Sequence, residues 1–230
     1  EKEPGIWVGT MDICRGELRQ IWKDFGAQMI ICHPTDHYDD YDTVDPLLAD
    51  SIQSAAGNFP GMRISFVVLD STYTAESLDG SIMEIAVTSA KEALRSLYAS
   101  ARSNVQVVVV PHEGYDGNLV PGRGAALRMI YEEMEQSLVG LLLVIAGGTR
   151  NSMGWWQEAF GRLAQQHPYD FPGRPYIVYP RYTRHFLDGA LSRLTVGPLT
   201  TLLGRYVPAC TGYDLAMPET SVVFEREVPW

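Results

Sequence analysis

Six short apolar runs recur along the chain, and between them apolar residues return at helical spacing. Gly5-Ile6-Trp7-Val8-Gly9, Gln28 to Cys32, Arg63 to Leu69, Val105 to Val110, Leu141 to Ile145 and Pro175 to Tyr179 each read as a strand. The Val105 run is β-branched apart from Gln106, as suits a central parallel strand covered on both faces. Helical patterns fill the intervals. Ile13, Leu18, Ile21 and Trp22 lead to a stop at Gly26, and a second helix over Pro46 to Ala56 ends at Gly57-Asn58 and Pro60-Gly61. A third, Ile82 to Ala101, puts Val87, Ala90, Leu94, Leu97 and Tyr98 near one face, which is core packing. Further helices carry Leu127, Ile130, Tyr131 and Met134, then Trp155, Trp156, Phe160 and Leu163. The last runs from Phe186 through Leu194 to Pro198, which kinks or restarts it. Strand and helix in alternation predict a single α/β domain over 1–230, its mostly parallel sheet flanked by helices, with Ser221 to Glu225 as an antiparallel edge.

Charge narrows the partners. Lys and Arg number 18 against 28 Asp and Glu, a net −10, with no basic run. Nonspecific nucleic-acid and anionic-membrane binding are disfavoured, so a phosphate-bearing ligand has to be held by a few placed arginines and backbone amides. Cys14, Cys32 and Cys210 are odd in number and lack zinc-like spacing, and read as buried thiols of a reducing compartment. The start carries no signal-peptide pattern, and the apolar run Leu138 to Ala146 is too short to span a bilayer. The expectation is a cytoplasmic protein without membrane insertion. The final residues, Val228-Pro229-Trp230, closely follow a strand-like segment, which leaves room for a further C-terminal region.

Four stretches carry chemistry. His33 to Asp42 is rich in histidine and aspartate, but its irregular spacing reads as a solvated acidic loop rather than a metal site. Asp70-Ser71-Thr72 ends a strand, where a carboxylate can accept from a nucleotide's base or ribose; the alternative is that it starts a turn, with Ser81 capping the next helix. Pro111 to Arg128 is a glycine-rich loop entering a helix, and amides at such a helix start, with Arg123, form an anion site. Pro180-Arg181-Tyr182-Thr183-Arg184-His185 crowds cations and donors after a strand, which suits an anionic ligand. The plainer reading is surface salt bridges by Arg181 and Arg184, with His185 as a cap.

Two of these stretches, in this order, resemble the family 2-like glycosyltransferases of the GT-A fold, a group that includes mannosylglycerate- and glucosylglycerate-type synthases. Pro121-Gly122-Arg123-Gly124-Ala125-Ala126-Leu127-Arg128 resembles their donor-side element. Pro180 to His185, with Asp188-Gly189 and the helix ending near Leu203-Gly204-Arg205, resembles their acceptor side. Arg205 to Asp214 is similar to their Pro-x-Gly-Gly-Asp/Glu-Phe element, with one residue added and Thr211 for a glycine. The resemblance implies a GT-A fold with a nucleotide-binding half, 1–120, and a donor/acceptor half, 121–230. It implies glycosyl transfer from a nucleotide-sugar to a small acceptor. Asp70 would hold the nucleoside, Gly122, Arg123 and Gly124 the donor, and Arg181, Tyr182 and Arg184 the acceptor or phosphate. His185 and Asp214 would be catalytic, Asp214 as base or charge stabiliser; Asp214 as a plain turn aspartate is the alternative. A homo-oligomer or an assembly partner is allowed.

One family feature is absent. After Leu141 to Ile145 the family carries an Asp-x-Asp pair that holds Mg or Mn against the donor diphosphate, whereas this chain has Ala146-Gly147-Gly148-Thr149-Arg150. No metal ligand is therefore assigned. Arg150 can meet phosphate oxygens in a fork in place of the cation. Metal-free transfer, a metal held elsewhere with His185, and a non-catalytic binding or assembly protein all remain open. The same string resembles the phosphate loop of sugar nucleotidyltransferases, but that loop follows the first strand and has a further glycine.

Overall fold

A computed structural model describes residues 5–9, 16–35, 41–70, 82–111, 123–135, 137, 139–145, 153–154, 157–158, 197–202 and 215–218. Its strands are β1 (Ile6–Val8), β2 (Met29–Thr35), β3 (Ile64–Asp70), β4 (Val105–Pro111), β5 (Leu141–Val144) and β6 (Leu215–Pro218). They form one sheet in the order β1-β4-β3-β2-β5-β6. The first five are parallel, and β6 runs antiparallel to β5.

The helices are α1 (Glu17–Phe25), α2 (Tyr41–Asn58), α3 (Ile82–Ser96), α4 (Ala99–Arg102), α5 (Arg123–Glu135) and α6 (Gly197–Leu202). They cover both sheet faces, because right-handed crossovers switch face when the direction of travel across the sheet reverses. From β2 to β3 to β4 the chain moves one way, and α2 and α3 pack on one face through Leu48, Ile52, Ala90 and Leu94. From β1 to β2 and from β4 to β5 it moves the other way, and α1 and α5 cover the opposite face through Leu18, Trp22, Ile130 and Met134. Alternate strand residues serve the two cores, with Ile31, Phe66 and Val107 in the first and Ile30, Val67 and Val108 in the second. All seven residues of β2, of β3 and of β4 are buried, as the continuous apolar runs require.

Local chemistry explains the element ends. Gly26 closes α1 in the left-handed region (φ 71°), its N–H donating to the carbonyl of Lys23 and that of Ala27 to Trp22. α2 starts earlier than expected and runs through Pro46, whose missing N–H falls near the helix start; apolar contacts from Val44 to Ala55 offset the loss. The expected helix over Ile82 to Ala101 breaks at Leu97-Tyr98, where Tyr98 turns extended, 86% exposed instead of packed. β2 continues through His33-Pro34-Thr35, so these residues are strand rather than the start of the acidic loop. The antiparallel strand is Leu215–Pro218; the segment 221–225 and the expected strand at 175–179 lie outside the described residues. Pro198 stands at the start of α6, where a restart was expected.

Candidate functional site at the carboxyl edge

The last register partners of the central strands are Thr35 with Asp70 and Asp70 with Pro111. Asp70 thus stands between β2 and β4 at the carboxyl edge of the sheet. By strand parity its side chain lies on the α2/α3 face, alongside those of Thr35 and His33. Thr35 Oγ1 donates to the carbonyl of Leu69 at 2.9 Å, tying the two strand ends together. Thr35 and Asp70 are both buried. The connection leaving β3 leads to α3 on one face, and that leaving β4 leads to α5 on the other. Crevices at such divergences are where open α/β sheets hold ligands.

α5 brings its start to the same edge. Its carboxyl end lies near the amino edge, where Gly140 N–H donates to the carbonyl of Gln28 at 3.0 Å just before β2. Thirteen helical residues span about 20 Å at roughly 1.5 Å each, close to the length of a seven-residue strand. Arg123 and Gly124 open this helix. They therefore stand at the carboxyl edge, in the layer opposite α2 and α3. β6 begins at Leu215, opposite Val144 at the end of β5. Gly122, Arg150, Arg181, Tyr182, Arg184, His185 and Asp214 lie outside the described residues.

His33 sits where β2 and β5 part. The carbonyl of Cys32 accepts the N–H of Ile145 at 2.9 Å, so alternate residues of β2 turn their backbone groups towards β5. Residue 34 is next in that series, and proline has no N–H to give. The ring of His33 supplies the donor instead, Nδ1 lying 3.3 Å from the carbonyl of Ile145. Burial pushes the imidazole down to about 4, against the opposing pull of that carbonyl. The ring is neutral at pH 7, with its proton on Nδ1 because a carbonyl can only accept.

α2 holds the chain beyond β5. Asp50 Oδ2 accepts the N–H of Met153 at 2.6 Å, Asn58 Nδ2 donates to the carbonyl of Gly154 at 3.2 Å, and Gln157 Nε2 donates to the carbonyl of Ser51 at 3.0 Å. Sequence reasoning passed over this polar stripe and over Thr35. Asp50, Ser54 and Asn58 recur at fourfold spacing, which was the legible signal.

The chemistry of 146–150 does not suit a divalent cation. The stretch 146–150 offers no carboxylate, and among the described residues no three His, Cys, Asp or Glu side chains group to hold an ion. Among the same residues no helix is long and apolar enough to cross a membrane.

No protein-family model matches the sequence. No curated protein matches it either. Among solved structures the chain is similar to a mycobacterial protein at 20% identity and a TM-score of 0.52, over 95% of this chain and 64% of that one. It is also similar to mannosyl-3-phosphoglycerate synthase from Rubrobacter xylanophilus (17% identity, TM-score 0.49, 90% and 57%). A third is glucosyl-3-phosphoglycerate synthase from Mycobacterium tuberculosis, solved with Mg2+ and UDP (16%, TM-score 0.48, 93% and 63%). The chain spans less than two thirds of the length of each. The likeness is one of fold: an α/β architecture with a mostly parallel sheet between two helical layers.

Proposed function

We propose that the carboxyl edge binds a nucleotide-sugar and that the protein transfers its glycosyl group to a small, anionic acceptor. The observation that carries this reading is the Asp70–Pro111 pair. It stands where the connections to α3 and α5 diverge, and the Pro121 to Arg128 element enters α5 at that edge. In this reading residues before 120 hold the nucleoside through Asp70, and those after it hold donor and acceptor. Gly122, Arg123 and Gly124 meet the donor, with Arg150 on the diphosphate. Arg181, Tyr182, Arg184 and His185 surround the acceptor.

The chemistry asked of the chain is modest. The bond from the anomeric carbon to the diphosphate oxygen breaks, and one from that carbon to an acceptor hydroxyl oxygen forms. The hydroxyl proton passes to Asp214. The leaving diphosphate gains negative charge, which cations already in place stabilise more in the transition state than in the ground state. No step is routed through a metal, because the residues after β5 do not provide its ligands. A cytoplasmic setting with soluble small-molecule partners fits this reading.

A second reading is a non-catalytic relative that binds a ligand or assembles with a partner. Its support is the same loss of carboxylates at 146–150. Calorimetry with UDP- and GDP-sugars, with and without Mn²⁺, separates the two. Donor binding with turnover supports the enzyme, and binding without turnover supports the second reading. No nucleotide binding, or an Arg123→Ala variant that binds as the wild type does, counts against the site.

A further inference from the structure

Three buried polar side chains gather on the α1/α5 side of the sheet, towards its amino edge. Ser65 of β3 and Gln106 of β4 are register partners, and by strand parity both lie on the face of Val67, Leu69, Val108 and Val110. α1 links β1 to β2 and so crosses β4 and β3, which stand between them in the sheet. Trp22, on the buried side of α1, comes one turn before the helix ends at Gly26. Just beyond that end, Gln28 N–H donates to the carbonyl of Arg63 at 2.9 Å, which ties the chain to the start of β3. Trp22 therefore covers the first residues of β3 and β4. Trp22 is 1% exposed, Ser65 0% and Gln106 9%. Yet Trp22 Nε1, Ser65 Oγ and Gln106 Nε2 each lack a protein hydrogen-bond partner among the described residues.

We propose that these three groups form a binding site for an internal water molecule, held between α1 and the β3–β4 pair. Residues directly opposite on one sheet face have Cβ atoms about 4.5–5.5 Å apart. The polar ends of Ser65 and Gln106 are thus within reach of a shared ligand, and they do not bond each other. The ligand has to accept, because an indole N–H and an amide NH₂ only donate, and it has to be able to donate onward to the Ser65 hydroxyl. Water does both. An anion accepts as well, but an unpaired charge buried beside Val67 and Val108 costs far more than a neutral molecule. Three bonds are the usual complement of an internal water. The site lies at the opposite end of β3 from Asp70, so it does not rest on the functional reading.

A high-resolution crystal structure of the wild-type chain tests this without any variant: a water should lie within hydrogen-bond distance of Trp22 Nε1, Ser65 Oγ and the Gln106 amide. In solution, the Trp22 indole N–H is the NMR signal that vanishes in Trp22→Phe. In the wild type it should show a cross-peak to a long-lived water, and Ser65→Ala/Gln106→Leu should abolish that peak. Ser65→Ala and Gln106→Leu should each lower the folding equilibrium constant about 5- to 10-fold in urea denaturation, since each takes a partner from a water that stays. The double variant should lose no more than the worse of the two, because the water leaves with its second partner.

A wild-type crystal in which Ser65 and Gln106 bond each other directly, or in which apolar side chains fill the space between them and Trp22, overturns the site. So does an indole N–H without a water cross-peak. Losses that add in the double variant also overturn it, as does a Ser65→Ala variant at least as stable as the wild type, the result expected for removal of a hydroxyl that is merely unpaired.

Discussion

The carboxylate of Glu133, on α5, accepts the backbone N–H of Gly16 at 2.8 Å and that of Arg19 at 3.2 Å, and so caps the start of α1 from a different helix. Arg19 Nη2 lies 3.9 Å from the same carboxylate. A negative charge at a helix start satisfies donors that the helix cannot, and here the group is buried. Bonds to a charged acceptor contribute about 1.5–3 kcal/mol each, so Glu133→Ala should cost about 3 kcal/mol and Glu133→Gln about 1 kcal/mol. Urea denaturation measures both; a loss under 1 kcal/mol in the alanine variant would show that α1 is held by Leu18 and Trp22 alone.

The buried imidazole of His33 makes stability depend on pH. In the unfolded chain the ring titrates near 6.5, and in the folded protein at about 4. Between those values the unfolded state binds the extra proton, so stability is complete above about 6.5 and falls as the pH drops towards 4. Below that it levels off. The difference corresponds to roughly 3 kcal/mol. Denaturation midpoints at pH 7.5 and pH 5 should differ in the wild type and converge in His33→Asn. An equal drop in both proteins would assign the acid sensitivity to carboxylates instead.

Gly26 should not tolerate a side chain. Its φ of 71° disfavours other residues, and a Cβ there would lie 2.6 Å from Arg63 Nη1, which donates to the carbonyl of Phe25 at 3.2 Å. Gly26→Ala should lower stability by about 1–2 kcal/mol. Pairing it with Arg63→Ala relieves the collision but not the backbone strain, so a double-mutant cycle measures each part.

If the proposed function holds, Arg150→Ala should reduce affinity for a nucleoside diphosphate by at least about 10-fold, as expected for removal of a charged phosphate contact. With Arg150 in place of a cation, EDTA should leave that affinity within about 2-fold. A strong dependence on Mn²⁺ would place a metal at residues other than 146–150. Asp70→Asn should weaken uridine or guanosine as much as the diphosphate, since its role in this reading is at the nucleoside.

Much of the fold was open to reading in one dimension. The runs at Ile6, Met29, Ile64, Val105 and Leu141 are strands because buried parallel strands need apolar residues on both faces, and the five are parallel because helices separate them. The reading slipped where a local signal competed with tertiary context. His33-Pro34-Thr35 read as the start of an acidic loop, yet β2 runs through Thr35, with His33 making the bond that Pro34 cannot. Tyr98 continued a helical pattern, yet the helix ends before it.

The sequence by itself determined the alternation of elements, the net negative charge, the order of the Pro121 and Pro180 motifs and the lack of carboxylates at 146–150. Periodicity and residue chemistry are local, and they survive in any arrangement of the chain. Only the tertiary structure decided that Asp70 stands between Thr35 and Pro111, that Glu133 caps α1, that His33 meets Ile145 and that Asp50 meets Met153. Each of those contacts joins residues tens of positions or more apart. Strand register and the side of the sheet on which each helix packs set those neighbours, and neither is written in any single segment.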